Sequence, residues 1–110
     1  MENCIFCKII KGEIPSEKVF ESDSAVAFND IKPKAKVHVL IVPKKHIESV
    51  KDLQENDKGP AGELILVAKK IAEQKNLPGY KLVFNVGREG GQIVGHLHLH
   101  LLSPDISGAL

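Results

Sequence analysis

Of the five histidines in this 110-residue chain, three fall within His96-Leu97-His98-Leu99-His100-Leu101-Leu102. In an extended strand the period of two sends all three imidazoles to one face and Leu97, Leu99 and Leu101 to the other. The leucine face is built to pack and the imidazole face to do chemistry. Same-face neighbours sit about 6.8 Å apart, so the Cα atoms of His96 and His100 are separated by roughly 13–14 Å, too far for all three rings to converge easily on one metal ion. Divided roles are expected. A neutral imidazole attacks an electrophilic phosphorus when one ring nitrogen holds the proton and the other keeps a free lone pair, a tautomer fixed by a hydrogen bond from the protonated nitrogen. His98, flanked by like residues, is the expected nucleophile. His96 and His100 are placed to neutralise phosphoryl oxygens or pass a proton to a leaving group, work suited to an unperturbed pKa of about 6.5. The plain alternative is that histidine fills the polar positions of a half-exposed strand, and its use at three consecutive such positions argues against that.

Cys4-Ile5-Phe6-Cys7 has the spacing by which two thiolates grip zinc, but one pair supplies half of a tetrahedral site. His46 and His96 are the available partners. Inert buried thiols and a redox pair are the competing readings; a thioredoxin-like motif needs a preceding strand, and only three residues come before Cys4. Gly87-Arg88-Glu89-Gly90-Gly91-Gln92 matches no dinucleotide or phosphate-loop fingerprint and reads first as a hairpin turn. Its place ahead of His98 would nevertheless present bare backbone N–H groups to a phosphate. Asn85 adjoins it with both a donor and an acceptor. Asp30 either accepts from sugar hydroxyls or caps a loop. Lys32, Lys34, Lys36, Lys44 and Lys45 read as solvated loop charges, and His38, on a strand face with Leu40 and Val42, as a hydrogen-bonded core histidine.

The remaining sequence must position these groups. At 12.0 kDa the chain supports one core and a single domain over 1–110. Its 43% hydrophobic and 26% charged residues suit a globular fold. Fifteen Lys+Arg against fourteen Asp+Glu leave a charge of +1, too little field for a general nucleic-acid partner. No apolar run approaches a membrane span and no leader pattern opens the chain, so no membrane partner and a cytoplasmic location are expected. Phe6, Ile9 and Ile10 share one side of a short helix closed by Gly12. Strands are expected at Lys18–Glu21 and Ala25–Phe28 around Ser22-Asp23-Ser24, then at Val37–Val42, stopped by Pro43. Leu64, Ile65, Val67, Ala68, Ile71 and Ala72 mark an amphipathic helix of about 16–20 residues, capped by Asp57 and ended by Leu77-Pro78-Gly79. A hairpin of Tyr80–Val86 and Val94–Leu102 follows. The order predicts an α+β fold with an antiparallel sheet of about five strands.

The run from His96 to Leu102 resembles the His-x-His-x-His-x-x signature of the histidine triad superfamily. Lys11-Gly12-Glu13-Ile14-Pro15, Ala27-Phe28-Asn29-Asp30-Ile31, Val42-Pro43-Lys44-Lys45-His46-Ile47 and Gly90-Gly91-Gln92 are similar to segments of its nucleoside phosphoramidase (Hint) branch. The likeness covers about residues 4–102. It implies a hydrolase of purine nucleoside 5′-phosphoramidates, such as adenylated amines or adenylyl-lysine, working through a nucleotidyl-histidine. By this resemblance His98 is the nucleophile; His100 and the backbone near Gly91, Gln92 and Ile93 hold the phosphate; His96 orients or shuttles protons. Asp30 binds the ribose, Asn85 contacts the phosphate or sugar, and Phe6, Ile9, Ile14 and Ile31 wall the base. The family pattern further implies a zinc held by Cys4, Cys7, His46 and His96, and a homodimer joined through the long helices and final hairpins. Two departures stand out. Ile93 occupies a position where many of these hydrolases carry Ser, and the tail 103–110 lacks the aromatic residues some relatives place there. Hydrolysis or transfer on dinucleoside polyphosphates, and a zinc-stabilised nucleotide sensor without turnover, are the competing functions.

Overall fold

The computed structural model describes residues 3–105. The final residues of the tail, 106–110, lie outside the described residues. Helix α1 (Ile5–Ile10) begins at Cys4, whose Sγ accepts the Cys7 N–H at 3.3 Å, and it ends before Gly12, which takes a positive φ of 80°. Strands β1 (Lys18–Glu21) and β2 (Ala25–Asn29) form the first hairpin, and β3 (Val37–Pro43) follows. After two short 3-10 turns, α2 spans Lys58–Gln74. It closes on Asn76 at φ 55°, with Asn76 N–H bonded to the Glu73 carbonyl and Leu77 N–H to the Ala72 carbonyl. Strands β4 (Lys81–Val83) and β5 (Leu99–Ser103) complete an antiparallel sheet in the order β1-β2-β3-β5-β4. The fold is the expected α+β.

Each face of the sheet is covered by a different helix. Leu64, Val67, Ala68 and Ile71 of α2 pack on Ala25, Ala27, Val39 and Ile41, together with Leu97, Leu99 and Leu101. On the other face, Phe6 and Ile9 of α1 pack on Val26, Phe28, Leu40 and Val42, with Ile14 and Val94 at the margin. The leucines between the histidines therefore anchor that segment to the α2 core, and the imidazoles emerge on the α1 face.

Several expectations need correction. The last strand starts at Leu99, not Val94, because its ladder with β3 ends at the Ile41–Leu99 pair and β3 stops at Pro43, which has no N–H to offer. His96 and His98 thus lie in the approach to β5, where the Leu97 N–H bonds to the Ile47 carbonyl at 2.6 Å. Strand β4 is three residues long, and Tyr80 and Leu82 remain exposed on this edge. Ile65 is half exposed beside Leu66, on the shoulder of the α2 stripe. Asp57 precedes α2 but does not cap it: its buried carboxylate accepts from Gln54 N–H at 2.9 Å and from Lys45 Nζ at 2.6 Å. That ammonium holds the Asp57 carboxyl below the usual range.

Candidate active site and metal-binding group

The histidine row divides at Phe6. The Phe6 ring meets His96 edge-on at 6.0 Å on one side and His98 at 5.1 Å on the other. Beyond His96 lie the thiols. His96 Nδ1 is 3.3 Å from Cys4 Sγ and 3.6 Å from Cys7 Sγ, and His46 Nδ1 is 3.2 Å from Cys7 Sγ. All four donor atoms lie within 4.8 Å of one another, a group that could hold a metal ion. The neighbouring Pro43 carbonyl accepts from His96 Nε2 at 2.8 Å, which leaves Nδ1 with its lone pair toward the sulfurs. His96 has no exposed surface, and both its ring nitrogens are engaged. Burial, then the adjacent Cys4, pushes the Cys7 thiol up.

Beyond Phe6, the hydrogen bonds fix the protons on three further rings. His98 Nδ1 donates to the His96 carbonyl at 2.7 Å, so the lone pair sits on Nε2. Among the described residues Nε2 has no hydrogen-bond partner. His38 Nδ1 accepts from the Lys34 N–H at 3.0 Å, so the neutral ring carries its proton on Nε2, which lies 2.9 Å from His100 Nδ1. His100 then accepts on Nδ1 and holds its own proton on Nε2, which makes that nitrogen a hydrogen-bond donor. The Asp30 carboxylate stands 3.4 Å from His38 Nε2, while its other oxygen accepts from the Lys32 N–H at 2.9 Å. His38, expected from its strand face as a hydrogen-bonded core histidine, is buried and bonded. Its contact with His100 depends on cross-strand register, which is not visible in a single strand's pattern.

Burial is the main cause of the depressed pKa values of His38, His96, His98 and His100, and His100 falls to about 4, with His98 and His38 adding to the shift. The rings are therefore neutral at pH 7. That suits a lone-pair nucleophile and a neutral N–H donor better than a cluster of cations.

The loop before the histidines is tied from within. Gly91 takes a φ of 86°, a conformation costly for any residue with a Cβ. Asn85 Nδ2 donates to the Gly90 carbonyl at 2.9 Å. The Gln92 side chain accepts from Gly87 N–H and donates to the Glu48 carbonyl at 2.7 Å and the Val94 carbonyl at 3.0 Å. The Asn85 and Gln92 amides thus hold the turn's shape. Phe6, Ile9 and Ile14 come together on the triad's face, whereas Ile31 (88% exposed) and Ile93 (94% exposed) stand at the surface.

Comparison with known proteins agrees with this geometry. The family described as the scavenger mRNA decapping enzyme C-terminal binding region matches residues 3–110. A purine nucleoside phosphoramidase of Escherichia coli K12 is 47% identical over 103 residues, covering 92% of this chain and 87% of that protein. A HIT family hydrolase from Legionella pneumophila superposes with a TM-score of 0.90 at 49% identity, covering 93% of each chain. A histidine triad protein from Clostridium difficile gives 0.90 at 45% identity, over 93% of this chain and 90% of its own.

The depressed pKa of His100 has a consequence for stability. Below its ordinary value of 6.5 the unfolded ring takes a proton that the folded ring refuses until about pH 4, so folding stability falls on acidification through that window. Urea unfolding at stepped pH should show this loss, with a shallower slope in His100→Gln; identical slopes for the two proteins would contradict it. On its sequence match and on structural likeness over nearly its whole length, the chain belongs to the histidine triad family.

Proposed function

We propose that this protein hydrolyses purine nucleoside 5′-phosphoramidates, with His98 Nε2 as the nucleophile. The observation that carries the reading is the His98 Nδ1–His96 carbonyl hydrogen bond, which leaves Nε2 unprotonated beside the Nε2–H of His100. In the first step Nε2 attacks phosphorus, the P–N bond to the amine breaks, and the amine leaves after taking one proton from solvent. In the second, water attacks the nucleotidyl-histidine, the bond from phosphorus to Nε2 breaks, and the proton lost by the water returns to solvent, releasing the nucleoside monophosphate and restoring the neutral ring. His100 and the backbone N–H groups of Gly91 to Ile93 hold the phosphoryl oxygens, where negative charge develops. Asp30 receives the ribose hydroxyls, Asn85 lies at the phosphate end, and Phe6, Ile9, Ile14 and Ile31 meet the base. The 47% identity to a phosphoramidase favours this substrate over dinucleoside polyphosphates.

The thiol group fits zinc. Tetrahedral coordination by two sulfurs at about 2.3 Å and two nitrogens at about 2.0–2.1 Å sets donor separations of about 3.3–3.8 Å. The observed 3.2, 3.3 and 3.6 Å contacts lie in or next to that range. Cys4, Cys7, His46 and His96 would hold the zinc in a structural role, and it would supply a fixed anchor for α1 and for the backbone of His96. A metal with its four positions filled by protein leaves none for substrate.

The half-exposed Ile65 and Leu66 of α2, with Tyr80 and Leu82 on the sheet edge, form the apolar surface for a homodimer. A cytoplasmic location belongs to the same reading, in keeping with two free cysteines. No helix among the described residues is long and apolar enough to cross a membrane.

Three outcomes are expected. His98→Ala should lower release of AMP from adenosine 5′-phosphoramidate by at least about a thousandfold while retaining the fold; unchanged turnover would remove the mechanism. Elemental analysis of protein purified without added metal should find about one zinc per chain, and far less in Cys7→Ser; metal-free wild type would end the zinc assignment. Sedimentation should give twice the 12.0 kDa chain mass, and Leu66→Glu should shift it toward that of one chain; a monomeric wild type would refute the dimer.

A further inference from the structure

Cys4 caps α1, its Sγ accepting the Cys7 N–H at 3.3 Å, so the two thiols stand about one helical turn apart at the start of the helix. Residues three apart on a helix have Cα atoms roughly 5 Å apart, within the span that a disulfide bridges. The two sulfurs lie within 4.8 Å of each other. The pair is unequal: Cys7 is buried, whereas Cys4 is half-buried and lines a surface recess of about 370 Å³ together with His46, Ile93 and Val94.

The hydrogen bonds around the pair fix what the sulfurs must supply. His96 Nε2 donates to the Pro43 carbonyl at 2.8 Å, so the neutral ring keeps a lone pair on Nδ1, which lies 3.3 Å from Cys4 Sγ and 3.6 Å from Cys7 Sγ. In the reduced pair the Cys4 S–H satisfies that lone pair and the Cys7 thiol remains for His46 Nδ1, at 3.2 Å. A metal ion on the four atoms would satisfy them equally. A disulfide has neither a proton to donate nor a charge with which to keep a metal. The His96 ring has no exposed surface, so water cannot take the place of the lost partner. The carbonyl of this same residue accepts from His98 Nδ1 at 2.7 Å.

We propose that Cys4 and Cys7 are a site of oxidative modification, a reversible dithiol–disulfide pair that a peroxide closes and that disables the triad through His96. The Cys4 sulfur attacks one peroxide oxygen, the O–O bond breaks, and one water leaves behind a sulfenic acid. The Cys7 sulfur then displaces its hydroxyl as a second water and closes the S–S bond. Two electrons pass from the sulfurs to the peroxide. The two protons that complete the waters come from the thiols, or from solvent where a metal holds the thiolates and departs as a hydrated ion. The bridge leaves a buried lone pair without a partner, His96 moves to regain one, and the carbonyl that sets the tautomer of His98 moves with it. The effect on turnover rests on the phosphoramidase reading; the disulfide and the displacement of His98 do not.

The test uses the full-length protein as purified, before and after treatment with hydrogen peroxide. The intact mass should fall by two hydrogen atoms, with fragmentation placing the bridge between Cys4 and Cys7, and dithiothreitol should restore it. The His98 ring signals in heteronuclear NMR should shift on oxidation and return on reduction. Release of AMP from adenosine 5′-phosphoramidate should fall about tenfold or more in the oxidised protein, the scale of one buried polar group left unpaired. In Cys4→Ser, whose hydroxyl can still cap α1, peroxide should leave the His98 signals in place. Oxygen added to the cysteines without a bridge, or no change in mass, would overturn the modification site. A bridge that leaves the His98 signals unmoved, shifts that peroxide produces equally in Cys4→Ser, or undiminished turnover by the bridged enzyme would overturn the coupling. Failure of both the reduced and the oxidised protein to cleave any phosphoramidate would instead overturn the phosphoramidase reading, and mass and NMR would still decide the switch.

Discussion

The arrangement depends on one hydrogen bond, from His98 Nδ1 to the backbone carbonyl of His96 at 2.7 Å. It fixes the tautomer of His98 and so the nitrogen free to act. It also makes His98 only as well placed as the backbone of His96. That backbone is held from several sides: the His96 ring is pinned between the two thiols and the Pro43 carbonyl, and the adjacent Leu97 is bonded to Ile47 and buried in the α2 core. A single residue therefore joins the Cys/His group that could hold a metal ion to the triad, through its side chain at one end and its carbonyl at the other. Phe6 fills the space between the two groups, so an apolar ring separates them while the main chain connects them.

A second chain of hydrogen bonds sets the opposite tautomer on the neighbouring ring. Lys34 N–H to His38, and His38 to His100, leaves His100 with a proton to donate where His98 has a lone pair to give. Two like side chains two residues apart acquire opposite roles from what lies behind them, one from a carbonyl and one from another imidazole. Burial of all these rings keeps them neutral, so each hydrogen-bond role persists at neutral pH.

Much of this was legible in the sequence, because period-two alternation and the Cys-x-x-Cys spacing are local. Leu97, Leu99 and Leu101 do anchor the segment, and His46 and His96 do meet Cys4 and Cys7. What was not legible depends on partners distant in the chain. The pairing of His38 with His100 follows from the register of β3 against β5, and the early end of the β5 ladder follows from Pro43 closing its neighbour. Gln92 offered no local sign that its amide would bridge Gly87, Glu48 and Val94. Asp57, in a favourable capping position, is drawn instead to Lys45, a charged donor some distance back in the chain.

The central claim is that the free Nε2 of His98 forms a covalent bond to phosphorus. It is tested most directly by intact-protein mass spectrometry at alkaline pH, where the acid-labile P–N bond of a nucleotidyl-histidine survives, on enzyme quenched during turnover of an adenosine 5′-phosphoramidate. The account predicts a mass increase of one adenylyl group, located to His98 by fragmentation and absent in His98→Ala. Product formation with no adduct at any quench time, or an adduct on another residue, would contradict it.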